Sequence, residues 1–323
     1  RSSPRFTEVS NKRHLSADLS DTKTLEGIFR RIKPDVIIHT AGLSNLKDCE
    51  RDHDLARKEN YLVTLKMIEL LKSINNETKF VFLSSEYVFS GVRGKYREDD
   101  RRAPKTVYGV TKEQAEDVIT KKLENYIIIR TANVYGRGGS FFSFLLESLS
   151  SNTPVNVYSD TYYTPTYIDY LIDSIEKLIK LDYRGVIHIA GSERVSRYEF
   201  ARRLGATLGR ANLIRPIKSG EENLISRDSS LDSSKVQDLL KNYCPTIENS
   251  FLCHFGKMVY PYFYFLDNRG KIQGIFQGLV WKEINYVEGL KGSVRGGHYH
   301  RKTVEGFFII RGKIKVSLEN RKT

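Results

Sequence analysis

Up to about Leu240, short apolar runs of strand length alternate with longer stretches in which apolar residues recur every three or four positions. Asp35 to His39, Lys79 to Ser84, Tyr126 to Thr131 and Gly185 to Ala190 read as strands. Their apolar runs are nearly unbroken, the pattern of strands covered on both faces. Asn60 to Leu71, Tyr108 to Leu123, Phe141 to Leu149, Tyr167 to Leu181 and Arg197 to Leu208 carry helical spacing. Strand and helix in alternation predict an α/β fold, a parallel sheet with helices on both faces.

From about Pro261 the texture changes. Strand-like runs follow without long helices: Tyr262 to Leu266, Leu279 to Tyr286, Val304 to Ile310 and Lys313 to Leu318. Asp267-Asn268-Arg269-Gly270 and Gly296-Gly297 punctuate them, which predicts an antiparallel β unit. A length of 323 residues suits about two domains. The boundary is expected between Leu240 and Lys257, giving one domain over 1–245 and a second over 255–323.

Composition adds little to the fold but narrows the setting. An apolar fraction of 40% with a mean hydropathy of -0.42 describes a soluble protein, and no run approaches the ~20 apolar residues of a membrane span. With no signal peptide visible, a cytoplasmic location and no membrane partner are expected. Three cysteines (Cys49, Cys244 and Cys253) without paired spacing fit a reducing compartment. The net charge of +13 favours an anionic partner. No helix-turn-helix, zinc-finger or RNP pattern is present, so no nucleic-acid partner is expected. A diphosphate-bearing small molecule fits the charge as well, and so does a merely solvated surface. Residue 1 is Arg, so the chain is expected to begin inside a longer polypeptide.

Tyr108-Gly-Val-Thr-Lys112 places a phenol and an ammonium four apart on one helix face. An ammonium beside a phenol favours the phenolate, so a lowered Tyr108 pKa is expected from the usual value of ~10. Such a tyrosine is a usable acid or base. Ser85 ends the strand from Lys79, where a hydroxyl faces the crevice of an open α/β sheet. A helix-capping or turn role for Ser85 stands beside that reading.

These residues resemble the extended short-chain dehydrogenase/reductase family, and within it the dTDP-4-dehydrorhamnose reductase family. The likeness rests on Asp18-Leu19, His39-Thr-Ala-Gly42, Asn60, Ser85-Glu-Tyr-Val-Phe-Ser-Gly91, Tyr108 to Lys112, Arg130-Thr-Ala-Asn-Val-Tyr-Gly136, Thr164-Pro-Thr-Tyr-Ile-Asp169 and Ser230-Leu-Asp-Ser-Ser-Lys235. It covers roughly residues 14 to 240. The resemblance implies a Rossmann-type sheet and reduction of a keto nucleotide sugar by NADP(H) or NAD(H), in deoxysugar or surface polysaccharide biosynthesis. It implies a catalytic trio of Ser85, Tyr108 and Lys112. It implies cofactor contacts from Asp18, Leu19, Thr40, Ala41, Gly42, Ser84, Tyr108, Lys112 and Asn133. Asn60 would brace the active-site strand. A homodimer is compatible with it.

The Gly-x-x-Gly-x-x-Gly turn that this resemblance implies is missing from the first residues. The sheet is therefore expected to lack its first strand, turn and helix, and the chain as given to bind a dinucleotide poorly. Gly136-Arg-Gly-Gly139 follows the catalytic pair and reads instead as a substrate-side loop. Glu86 beside Ser85 leaves a nucleotide-sugar epimerase or dehydratase open. A non-catalytic regulatory subunit, like that of methionine adenosyltransferase, is a further alternative, against which the intact trio argues.

Toward the end, Gly292, His298, His300, Glu305 and Gly312 stand at the spacing Gly-x5-His-x-His-x4-Glu-x6-Gly. His298 and His300 would share one strand face, with Glu305 returning on the next strand. Two imidazoles and a carboxylate suit a divalent transition metal. This segment resembles the first motif of cupins that epimerise or isomerise nucleotide sugars, and implies a partial antiparallel cupin domain.

Overall fold

The computed structural model describes residues 17–74, 77–136, 140–220, 224–241 and 244–255, residue 15, and the backbone of five short strands, Thr7–Val9, Lys12–His14, Tyr264–Asp267, Gly270–Phe276 and Ile284–Gly289. The chain divides into two compact units, Arg1–Lys257 and Met258–Thr323.

The first unit is built on four parallel strands: β1 (Val36–His39), β2 (Lys79–Ser85), β3 (Tyr126–Thr131) and β4 (Gly185–His188). They lie in the order β4-β3-β2-β1. Ser85 pairs with Thr131 and Ser84 with Arg130, so both serines sit at the carboxyl edge of the sheet.

For β2, β3 and β4 the apolar runs are explained by burial on both faces; β1 departs from that expectation, because it lies at the sheet edge and leaves Ile38 49% exposed. Phe80, Phe82 and Ile128 join one core with Leu25 and Phe29 of α1 (Thr22–Ile32), Met67, Ile68 and Leu71 of α2 (Val63–Ile74), and Ala115, Val118 and Ile119 of α3 (Val107–Lys122). Val81, Ile127, Ile129 and Ile187 point the other way, into a second core. That core includes Leu171, Ile175 and Leu178 of α4 (Ile168–Lys180) and Phe200, Ala201 and Leu204 of α5 (Arg197–Thr207). Burying each such side chain contributes about 1.5–3 kcal/mol. The period of two along β2 has a consequence for its end. Ser84 faces the same way as Phe82, toward α3, and Ser85 faces the opposite way.

In the first unit the expected elements are present with shifted ends, whereas the strands expected at Val304 to Ile310 and Lys313 to Leu318 lie outside the described residues. The helical pattern expected from Asn60 is a π-helical turn, Lys58–Leu62, that runs into α2. α1 was not marked by the apolar pattern. Its amino terminus is capped by Asp21, which accepts from the Lys23 and Thr24 backbone N–H groups. Among the described residues, no helix is long and apolar enough to cross a membrane.

In the second unit, the strands Tyr264–Asp267, Gly270–Phe276 and Ile284–Gly289 form one antiparallel sheet. His298, His300 and Glu305 lie outside the described residues, as do residues 137–139 of the glycine-rich loop. Among the described residues, no cluster of three or more His, Cys, Asp or Glu could hold a metal ion.

Candidate active site

The amino end of α3 is fixed against the turn that follows β2. Thr106 caps the helix by accepting from the Gly109 N–H at 3.1 Å. A Cβ on Gly109 would stand 2.2 Å from the Tyr87 carbonyl oxygen, so only glycine allows the helix this close to the turn. Val107 N–H donates to Glu50 at 2.8 Å. A second clamp comes from Asn60, which is buried in the π-helical turn. Its carbonyl oxygen accepts from Leu43 N–H at 2.7 Å, and its amide donates to the Leu43 carbonyl and to Thr111 Oγ1, both at 3.0 Å. One side chain thus ties the loop after β1 to α3. Extra-wide helical turns of this kind recur at functional sites.

This scaffold brings Ser85, Tyr108 and Lys112 together. Lys112 is 4% exposed and donates to the Leu83 carbonyl at 2.8 Å. Its Nζ lies 4.6 Å from the Phe82 ring centroid and 5.9 Å from that of Tyr108. Burial lowers its pKa to about 8, against the opposing charge of Glu116. Ser85 lies close enough to the Tyr108 phenol to favour its ionised form. Its hydroxyl also donates to Glu86 Oε2 at 2.6 Å and accepts from Tyr87 N–H at 3.3 Å. The turn-capping reading of Ser85 therefore holds alongside its place in the trio.

The expected lowering of the Tyr108 pKa is corrected by the structure. The phenol is pushed well above its ordinary value, first by burial and then by the charge of Glu86. Burial and the Glu86 carboxyl, rather than the ammonium, set the direction.

Glu86 is buried, and burial raises its carboxyl pKa. Backbone N–H of Asn133 and the more distant charge of Arg197 oppose that rise. Arg197 lies over the Phe141 and Tyr163 rings, at 5.2 and 5.0 Å from their centroids, and its charge also reaches Tyr87.

The other expected cofactor residues fall around the same edge. Thr40, Ala41 and Gly42 are exposed after β1, and Asp18 is exposed in the turn before α1, its carboxylate accepting from Ser20 N–H at 2.8 Å. Leu19 packs on the α1–α3 core. Asn133 is half-buried. Gly42 has a positive φ of 156°, and a Cβ there would meet Asn60 Oδ1 at 2.5 Å. Ser84 is different. Its hydroxyl is committed to Glu116 at 2.5 Å, on the face away from Ser85.

Sequence reading missed the network around Glu116. Glu116 is one further helical step along the face of Tyr108 and Lys112, a spacing that was available as a signal. It is 1% exposed and pairs with Arg130 at 2.7 Å and with Arg102 at 3.3 Å. Arg130 also donates to the Glu98 carbonyl at 3.0 Å.

The sequence family described as RmlD substrate binding domain matches residues 3–251, well over half of the chain. The chain belongs to this family. Among curated proteins, a spore coat polysaccharide biosynthesis protein, SpsK, of Bacillus subtilis is 32% identical over 186 residues, covering 57% of this chain and 65% of that protein. The chain thus spans just under two thirds of that relative. A dTDP-4-dehydrorhamnose reductase of Salmonella typhimurium is 26% identical over 245 residues, 70% of this chain and 81% of that protein. Among solved structures, a hypothetical dTDP-4-dehydrorhamnose reductase from Sulfolobus tokodaii aligns with a TM-score of 0.67 and 28% identity, over 75% of this chain and 87% of that one. The Bacillus anthracis dTDP-4-dehydrorhamnose reductase, solved in complex with NADP, has a TM-score of 0.69 at 24% identity, over 74% and 86% of the two chains, and shows the shared fold. For this RmlD-family chain the α/β fold and the parallel sheet are therefore established, and the site's chemistry can be taken residue by residue.

Proposed function

We propose that this RmlD-family protein reduces a keto nucleotide sugar of the dTDP-4-dehydrorhamnose type, with NADPH or NADH as reductant, in the building of deoxysugars for surface polysaccharide. The observation that carries this reading is the cluster of buried Ser85 and Lys112 with half-buried Tyr108 at the carboxyl edge of the sheet, where open α/β sheets bind their ligands. The names of the relatives support it. A cytoplasmic setting and a nucleotide-sugar partner go with it.

The residues present fit the nicotinamide end of a dinucleotide. Gly42 leaves no side chain in the space against Asn60 and Lys112, where a Cβ would stand 3.9 Å from Nζ. Lys112, Tyr108 and the exposed Thr40–Gly42 backbone would hold that end, and Asp18 with Leu19 the adenine end. When bound, the cofactor supplies the hydride that reaches the keto carbon.

The chain's own residues handle the proton and the orientation. Tyr108 gives its phenolic proton to the sugar oxygen as charge develops there. A phenol with a raised pKa rests protonated, ready to donate. Lys112, charged below about pH 8, stabilises the phenolate that is left and favours the transfer. Ser85 orients the carbonyl. The pH sign follows from Lys112: the lowered pKa means its charge, and the help it gives Tyr108, is present at neutral pH and lost as pH rises through about 8.

A direct assay follows NADPH absorbance in the full-length protein with dTDP- and UDP-linked 4-keto sugars. The reading expects oxidation that depends on the sugar, with the dTDP sugar preferred. No oxidation with any keto sugar would remove it. A second reading, epimerase or dehydratase, draws on the buried Glu86 carboxyl beside Ser85. It expects isomerised or dehydrated sugar without net consumption of NADPH, so product analysis separates the two. We further propose, on spacing alone, that His298, His300 and Glu305 bind a divalent metal. A metal-free protein purified after metal supplementation removes that assignment.

A further inference from the structure

The hydroxyl of Ser85 has one proton and two lone pairs. One lone pair takes the Tyr87 N–H at 3.3 Å. While Glu86 is a carboxylate, the single proton is drawn to Oε2 at 2.6 Å. In that state Ser85 has no proton left for Tyr108 or for a substrate carbonyl. A carboxylic acid at the same position reverses the direction. It donates into the second lone pair of Ser85, and the serine proton is released to the crevice side.

We infer that Glu86 works as a buried carboxylic acid that donates to Ser85 and so frees the Ser85 proton for the Tyr108 and substrate side of the crevice. Glu86 is thereby a positioning residue acting through Ser85. The inference deepens the reductase reading and rests on it for its kinetic consequence.

The surroundings favour the neutral acid. Glu86 is 4% exposed and has no direct ion pair among the described residues. Burial in such a place disfavours charge unless a partner compensates it. The groups that face it are Ser85 on its own turn, the Asn133 N–H after β3, Tyr108 from α3, Arg197 from α5, and Tyr87 and Tyr163. Arg197 is the single cation among them, and its guanidinium is spread over two aromatic faces. Lys112 joins the set through Tyr108. An acid whose folded pKa is raised stays protonated to higher pH, so Ser85 holds the productive direction below that pKa and loses it above.

Two measurements on the full-length protein test this. The first is infrared difference spectroscopy of wild type against Glu86→Gln across pH, without substrate. A carboxylic-acid carbonyl band should be present in wild type, bleach as pH rises, and be missing in the variant. The second is the pH profile of NADPH oxidation. The wild-type basic limb combines Glu86 and Lys112. In Glu86→Gln the amide N–H still donates to Ser85, so kcat below the limb should fall by no more than about ten-fold. Its basic limb should then carry the Lys112 ionisation alone and shift to higher pH. A wild-type spectrum with no acid band at any pH where the protein is folded overturns the inference, as does a variant limb that superimposes on the wild-type limb. If no sugar is reduced at all, the reductase reading fails, and the infrared arm still decides the protonation of Glu86. If Glu86→Gln does not fold, Ser85→Ala replaces it in the infrared arm. Removing the acceptor should move the acid band, and an unmoved band counts against the inference.

Discussion

Ser84 and Ser85 are neighbours, and each is hydrogen-bonded to a buried carboxyl group, yet the two ends of the pair differ in kind. Ser84 reaches Glu116 at 2.5 Å, and Glu116 is met by Arg130 and Arg102. Ser85 reaches Glu86 at 2.6 Å, and Glu86 has no direct ion pair among the described residues. The strand's period of two sends them to opposite faces. On the α3 face the buried charge is neutralised, so the serine–carboxylate contact locks β2, β3 and α3 together. On the other face a charge would be uncompensated, so the same contact becomes a proton-sensitive one beside Tyr108. Charge compensation, more than residue type, separates a bracing carboxylate from a chemical one.

Several substitutions would break or sharpen that contrast. The largest effect is expected from Tyr108→Phe, which removes the proton donor and should lower kcat by about 10²–10⁴ with the melting temperature nearly unchanged. Next is Glu116→Ala, which leaves buried Arg130 without its carboxylate, while Arg102 keeps Asp117. Losing one member of a buried ion pair costs about 3–5 kcal/mol. Denaturant titration should show that loss, with far less effect on any activity of the protein that remains folded. Ser84→Ala and Ser85→Ala form the paired test. Ser84→Ala gives up one hydrogen bond to a charged group, about 1.5–3 kcal/mol, and should leave kcat close to wild type. Ser85→Ala should do the reverse, losing activity with little change in unfolding midpoint. Both serines behaving alike would erase the contrast.

The smallest effect concerns pH and stability. Glu86 has a raised folded pKa, so the folded state prefers it protonated. Its cost to stability is absent below the unfolded carboxyl pKa of about 4.3, grows as pH rises from there toward the folded value, and levels off above it. Glu86→Gln escapes that cost. Its melting temperature relative to wild type should therefore climb as pH increases, a trend that thermal melts at several pH values would show.

Much of this was legible in the sequence, for physical reasons. The unbroken apolar runs at Phe80–Leu83 and Ile127–Ile129 announced strands buried on both faces, and the cores confirm it. The spacing of Tyr108 and Lys112 placed both on one helix face. What was hidden depends on three-dimensional neighbours. The Glu116–Arg130 pair joins a helix to the next strand, and the two residues are 14 positions apart. The direction of the Tyr108 shift was misjudged because its sign is set by burial and by Glu86, neither of which spacing reveals. The π-helical turn that carries Asn60 likewise has no distinct apolar signature. The expected metal ligands His298, His300 and Glu305 lie outside the described residues, so their reading still rests on spacing.

The account turns on hydride reaching a sugar carbon while Tyr108 protonates the oxygen. The most direct test uses NADPH deuterated at the transferring position, a dTDP-4-keto-6-deoxysugar and the full-length protein, with the sugar product read by mass spectrometry and NMR. The account predicts one deuterium at the former keto carbon, formed by wild type and lost to at least a hundred-fold by a folded Tyr108→Phe variant. A product without deuterium, or a Tyr108→Phe variant that labels the sugar at the wild-type rate, would contradict it.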